Sequence, residues 1–185
     1  MLTSPGDDEL LRRAVGGDAG ATEALVSRYQ SAMQRFCQAL LGNVHDAEDA
    51  VQDVMSCVAA GDRLPNERFR PWLYRVARNR CLADLRRRKD GRVGAGSAVR
   101  DSRWASPRTG PRTALLRNEW YDRLRGLVET MPEHHREVLI LRYFEDLDRG
   151  EIAEILELSE SVVKSRLFEA RRKLREHLQD SQSGA

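Results

Sequence analysis

The side chains best suited to chemistry in this sequence are cations beside small hydroxyls, and the chemistry they suit is recognition of a polyanion. They crowd into one stretch, Asp148 to Leu174, with the sequence DRGEIAEILELSESVVKSRLFEARRKL. Ser161, Val162, Lys164, Ser165, Arg166, Arg171 and Arg172 lie close together in it. Small residues admit a helix to base edges, and Lys and Arg neutralise phosphates. The elements that must position them follow from spacing. Asp148 with Glu151 three residues on has capping-box spacing. Ile152, Ala153, Ile155 and Leu156 give a first helix its apolar face, Glu157 to Ser159 make a turn, and Ser159 can cap a second helix. There Val163, Leu167, Ala170 and Leu174 form one stripe at helical spacing. Ser161, Ser165, Glu169 and Arg172 face the other way, flanked by Lys164, Arg166, Arg171 and Lys173. This is the helix-turn-helix arrangement. Spacing alone leaves a helical hairpin with a solvated basic face equally open, because cations in a last turn also suit the helix dipole.

Covalent chemistry has no comparable foothold. His45, His134, His135 and His177 lack metal-ligand spacing, and no Gly-rich phosphate loop or nucleophile motif appears. His134 and His135 read as the exposed first turn of a helix. Cys37, Cys57 and Cys81 are an odd, widely spaced set in apolar helical contexts, which fits core thiols rather than a disulfide framework or zinc site. No catalytic residue, metal site or cofactor is therefore expected.

The 185 residues are 41% hydrophobic and 32% charged, the composition of a folded soluble protein. No apolar run approaches a membrane span and the N-terminus lacks a signal-peptide pattern, so a cytoplasmic location without membrane insertion is expected. The net charge of +2 hides an asymmetry. Residues 86–112 carry nine Lys/Arg against two Asp/Glu, between two mildly acidic blocks. That pattern suggests a polyanion partner and a separate protein partner.

Along the chain every periodic segment is helical, and none alternates with the period of a strand. Residues 7–16 make a short helix. Asp18 caps a longer one from Ala19 to Leu41, with Leu25, Tyr29, Met33, Phe36 and Leu40 buried. A third helix runs from about His45 to Ala60. Its apolar face is Ala47, Ala50, Val51, Val54, Met55 and Val58, and its polar face Asp46, Glu48, Asp49, Gln52 and Asp53. Residues 61–66 form a loop. A fourth helix spans Phe69 to about Lys89, with Trp72, Leu73, Val76, Ala77 and Leu85 inward. Arg75, Arg78, Asn79, Arg80 and the run from Arg86 and Arg87 to Lys89 point out. Bases exposed in opened DNA are held by stacking and hydrogen bonds while cations track the backbone. The loop ending in Arg68, with Arg63 and Asn66, offers a pocket for one extruded base. Residues 90–112, rich in Gly, Ser, Arg and Pro, read as a flexible basic linker whose one large apolar residue is Trp104. Beyond it, helices are expected over 114–129 and from Pro132 onward. The fold class is all-α: two small helical domains, 1–89 and 113–185, joined by the linker 90–112.

Two sets of residues resemble a known family. DAEDAVQDV in the third helix and WLYRVARNRCLADLRRRK in the fourth precede MPEHHREVLILRYFEDLDRGEIAEILELSESVVKSRLFEARRKL. In this order and separation they resemble an RNA polymerase sigma factor of the two-domain, extracytoplasmic-function (ECF) kind, within the sigma-70 family. The resemblance implies that residues 1–89 are sigma region 2 and 113–185 sigma region 4. Asp46, Glu48, Asp49, Gln52 and Asp53 would face core RNA polymerase. Arg63, Asn66, Arg68, Arg75, Arg78, Asn79, Arg80, Arg86 and Arg87 would bind the −10 element of promoter DNA. Ser161, Val162, Lys164, Ser165, Arg166, Arg171 and Arg172 would bind the −35 element. An anti-sigma factor is a further implied partner. The sequence departs from the family pattern at Glu157, where glycine is frequent, and at Val162, where threonine is common. Asp148-Arg149-Gly150 replaces a serine-tyrosine-glutamate start, and Met55 and Ala59 stand where aromatics are frequent. The alternative reading is a helix-turn-helix transcription regulator with a helical N-terminal sensing domain, binding DNA without polymerase.

Overall fold

Local capping decides where the helices of the N-terminal half begin and end. Helix α1 (Asp7–Val15) starts with Asp7, Asp8 and Glu9 and finishes with Arg12 and Arg13, matching its dipole at both ends. The Asp18 carboxylate accepts from the Ala21 amide at 3.1 Å and opens α2 (Ala19–Leu41). Gly42 closes α2 in the left-handed conformation at φ 68°, which glycine adopts without steric cost. Asn43 accepts from the Asp46 amide and starts α3 (Val44–Ala60) one residue earlier than the sequence suggests. Helix α4 (Phe69–Lys89) begins at Arg68, itself left-handed at φ 50°. The computed structural model describes residues 5–61, 64–66, 68–91, 126, 128 and 130–183. The basic linker beyond Gly91, Trp104, Arg63 and most of the helix expected over 114–129 lie outside the described residues.

The chain divides into two compact units, residues 1–104 and 105–185. In the first, α2 packs against α1, α3 and α4, and α3 against α4. The predicted stripe of Leu25, Tyr29, Met33, Phe36 and Leu40 is wholly buried. Each such side chain contributes about 1.5–3 kcal/mol relative to exposure. Phe36 meets Tyr74 edge-on at 5.1 Å between centroids, and Tyr29 meets Phe69 at 5.4 Å. The Tyr29 hydroxyl donates to Asp7, tying α2 to α1, and burial followed by that carboxylate raises its pKa.

The buried side of α4 differs from the expected one. Leu73 and Ala77 are inside, joined by Phe69, Pro71, Tyr74 and Cys81, while Trp72, Val76 and Leu85 are half-buried. Phe69, Leu73, Ala77 and Cys81 recur every four residues and define the stripe that meets α2. Trp72 sits at its edge, 5.7 Å from the Phe69 ring. Cys37 and Cys81 are buried core thiols, and Cys57 is half-buried. Hydrogen bonding to Cys37, then burial, pushes the Cys81 thiol well up, so it holds its proton.

The second unit is built from α5 (Glu133–Leu139), a π-helical turn (Ile140–Phe144), α6 (Arg149–Leu156) and α7 (Glu160–Ser183). Val138 to Leu141 are four consecutive buried residues, more than one helical stripe accommodates. The backbone widens there: the Glu145 amide reaches back five residues to the Ile140 carbonyl at 3.2 Å. Ile152, Ile155, Leu156, Val163, Leu167 and Ala170 close the core, and Leu174 is only half-buried. His134 is exposed as expected, but His135 is buried at 2% exposure. Its Nε2 lies 3.3 Å from the Glu169 carboxylate of α7, and its Nδ1 finds no partner among the described residues.

Candidate nucleic-acid and polymerase interfaces

The helix-turn-helix has the local construction expected of its sequence. Asp148 Oδ1 accepts from the Glu151 amide at 2.8 Å, and Glu151 Oε2 accepts from the Asp148 amide at 2.9 Å, a complete capping box. Glu157 ends α6 in the left-handed conformation, φ 56° and ψ 45°, a region that glycine enters without steric cost. Ser159 Oγ accepts from the Val162 amide at 3.4 Å and lies 2.9 Å from Ser161 Oγ, so one serine caps α7 and orients another.

This construction presents the first two turns of α7 to solvent. Ser161, Val162, Lys164 and Ser165 are exposed, and Arg166 is half-buried beside them. Further along, Arg171 stands over the Tyr143 ring at 5.7 Å from its centroid. That stacking holds the guanidinium in place while leaving its edge able to donate. Arg172 is exposed and paired with Glu176 at 3.4 Å. Glu169 is exposed as expected, and its carboxylate also lies 3.3 Å from His135 Nε2.

One residue escaped the sequence reading. Phe168 is 68% exposed, on the rim of a shallow cleft bordered by Arg142, Arg149, Lys164 and Arg171. An aromatic among cations suits stacking or contact with a thymine methyl. The available signal was phase: Phe168 stands one position off the Val163–Leu167–Ala170 stripe, so the helix cannot bury it.

In the first unit the acidic face of α3 and the basic face of α4 meet. Glu48, Asp49, Gln52 and Asp53 are exposed, and Asp46 is half-buried. Glu48 and Gln52 border a groove completed by Gln30 and Gln34 of α2. On α4, Asn79, Arg86 and Arg87 are exposed and Arg75, Arg78 and Arg80 are half-buried. Asn66 and Arg68 are exposed at its start. The two faces are not independent. Arg80 Nε donates to Asp53 Oδ2 at 2.6 Å, and Arg88 pairs with Asp46. Asp84, one turn along α4, accepts from both Arg80 and Arg87. The hydrogen bond to Asp84, ahead of that to Asp53, raises the Arg80 pKa further. Sequence spacing separates these carboxylates and cations into two sets, and the fold interleaves them.

No group of His, Cys, Asp and Glu able to hold a metal occurs among the described residues, and no described helix is long and apolar enough to cross a membrane. Comparison with known proteins matches the two units to separate family models and the whole chain to single relatives. The family model for Sigma-70 region 2 matches residues 25–91, and that for Sigma-70, region 4 matches residues 121–174. The RNA polymerase sigma factor NccH of Alcaligenes xylosoxydans xylosoxydans is 31% identical over 186 residues, spanning 98% of this chain and 100% of that protein. The ECF RNA polymerase sigma factor SigW of Bacillus subtilis is 29% identical over 178 residues, 92% of this chain and 95% of that protein. Among solved structures, CnrH in complex with the cytosolic domain of CnrY superposes with a TM-score of 0.68 at 26% identity, covering 94% of this chain and 97% of that one.

Proposed function

We propose a residue-level division of labour from one premise: the chain belongs to the RNA polymerase sigma factors of the extracytoplasmic-function kind, in the sigma-70 family. As a sigma factor it joins core RNA polymerase, directs it to promoter DNA and initiates transcription there. We assign residues 1–89 to polymerase and −10 binding, 90–112 to a linker and 113–185 to −35 binding. On α7, Ser161, Lys164, Ser165 and Arg166 read the −35 element, with Arg171 and Arg172 on phosphates. Phe168 joins them as an apolar contact. On α4 and its preceding loop, Arg68, Asn66, Arg75, Arg78, Asn79, Arg80, Arg86 and Arg87 hold the −10 element. Asp46, Glu48, Asp49, Gln52 and Asp53 of α3 meet polymerase.

The observation that carries this reading is the capped helix-turn-helix that turns Ser161, Lys164 and Ser165 outward on one face. The mechanism is binding energy directed at two promoter elements and at unpaired bases, with no covalent step and no cofactor. A cytoplasmic site of action follows, since promoter DNA and polymerase are there. An anti-sigma protein is the expected negative regulator, a reading supported by the CnrH neighbour, which is solved with the cytosolic domain of another protein.

Run-off transcription with purified core polymerase tests the assignment. The protein should start transcripts at a defined promoter. Lys164→Ala and Arg166→Ala should each lower −35-dependent initiation by about five-fold or more, as a good base contact discriminates by about 1–3 kcal/mol. Unchanged −35 dependence in both variants would remove these residues from the site. Tight sequence-specific duplex binding without polymerase, and no effect on initiation, would favour a free-standing regulator.

A further inference from the structure

The ion pairs between α3 and α4 join two surfaces that the proposed function gives to different partners. Asp53 is 59% exposed in its side chain yet holds the Nε edge of Arg80 at 2.6 Å. Asp46 accepts from Arg88 Nη2, at 35% and 32% exposure. Arg80 is not held by Asp53 alone: Asp84, only 13% exposed, pairs with it from its own helix. The Arg80 guanidinium is thus fixed on one side by a sheltered carboxylate and closed on the other by an exposed one. Carboxylate and phosphate oxygens accept from guanidinium in the same geometry. Solvent reaches both pairs and screens them, so each is weak enough for another anion to take the carboxylate's place.

We propose that Asp53 and Asp46 occupy, in the free protein, the positions that DNA phosphates take on Arg80 and Arg88. Polymerase, by drawing the α3 carboxylates to its own basic groups, releases those cations for promoter DNA. Asp84 stays behind as a positioning residue that keeps Arg80 and Arg87 aimed. The inference rests on the assignment of α3 to polymerase and α4 to DNA. It predicts weak DNA binding without polymerase, because a phosphate reaching Arg80 must displace a tethered competitor. It also predicts an altered salt dependence. A phosphate that displaces a protein carboxylate releases fewer counterions than one that lands on a free arginine.

The test measures single-stranded, −10-containing oligonucleotide binding to the full chain by fluorescence anisotropy across a salt series. Asp53→Asn and Asp46→Asn should each tighten binding by roughly two- to fivefold, the range open to a solvent-screened pair. Each should steepen the log–log salt slope by about 0.7 per freed cation. Glu23→Gln makes the same charge change on α2 of the same unit, at an exposed residue outside every assigned interface. It should shift affinity less than twofold with no change of slope. At saturating core polymerase the advantage of Asp53→Asn over wild type should disappear. Asp53→Ser carries the same prediction should the asparagine variant fail to show a cooperative melt. Affinity and slope equal to wild type, or an equal gain from Glu23→Gln, would overturn the proposal while initiation by the wild type still upheld the underlying function. Absence of core-dependent initiation by the wild type would instead remove that function and the inference with it.

Discussion

At the scale of single residues, backbone geometry and burial separate side chains that sequence alone treats alike. Glu157 is the plainest case. A side chain with a Cβ in the left-handed region is strained by about 1 kcal/mol or more, and glycine relieves that strain at some cost in chain entropy. Glu157→Gly should therefore raise the melting temperature by about 3–6 °C for a unit of this size, with −35 binding unchanged. A lower melting temperature would mean that Glu157 earns its place through a contact. Val162 is the second departure, and its amide rather than its side chain is what Ser159 engages. The loss of a hydroxyl there leaves the cap intact, and Ser161 and Ser165 supply hydroxyls on the same exposed face. The two adjacent histidines divide in the same way: the helical register exposes His134 and buries His135.

At the scale of elements, α5 and α7 are joined through His135. Desolvation lowers its pKa, opposed by the hydrogen bond to Glu169 and reinforced by the neighbouring His134 charge. Lys173 also disfavours its protonation. A histidine whose folded pKa lies below its unfolded value of about 6.5 is protonated more readily in the unfolded chain. Its contribution to stability is therefore complete above that value and declines as pH falls from there toward the folded pKa. The melting temperature should drop between pH 7.5 and 5.5, and His135→Gln should show a smaller drop than wild type. An identical pH profile for the two proteins would assign the dependence to other groups. The π-helical turn belongs to this scale as well. It accommodates the buried run Val138–Leu141 and leaves Tyr143 43% exposed, where Arg171 covers its ring.

At the scale of the molecule, the proposed assignment gives each of the two units its own promoter element, and such units act as a pair only when something sets their separation. In a sigma factor that component is polymerase, so the distance between promoter elements becomes a property of the holoenzyme. Inserting about five base pairs, half a helical turn, between the −10 and −35 elements should cut initiation at least tenfold. It should leave binding of the free protein to an isolated −35 duplex unchanged. Equal initiation from both promoters would show that the two units do not engage DNA together.

Much of this organisation was legible in the sequence because it is encoded over short distances. Caps act across three residues and amphipathic stripes across four, so Asp18, Asp148, the α2 stripe and the helix-turn-helix could all be read directly. The resemblance to sigma factors was legible for the same reason, since its motifs are contiguous. What spacing could not decide depends on residues brought together by packing. The inward face of α4 was misplaced because apolar and basic residues are mixed along it, and only packing against α1, α2 and α3 selects Leu73, Tyr74, Ala77 and Cys81. Arg80 and Asp53 are 27 positions apart, and Arg88 and Asp46 are 42 apart. Their pairing exists only because α3 and α4 lie side by side. Local spacing was enough to set out the acidic face of α3 and the basic face of α4; that the two faces pair with each other depends on the packing of one helix against the other.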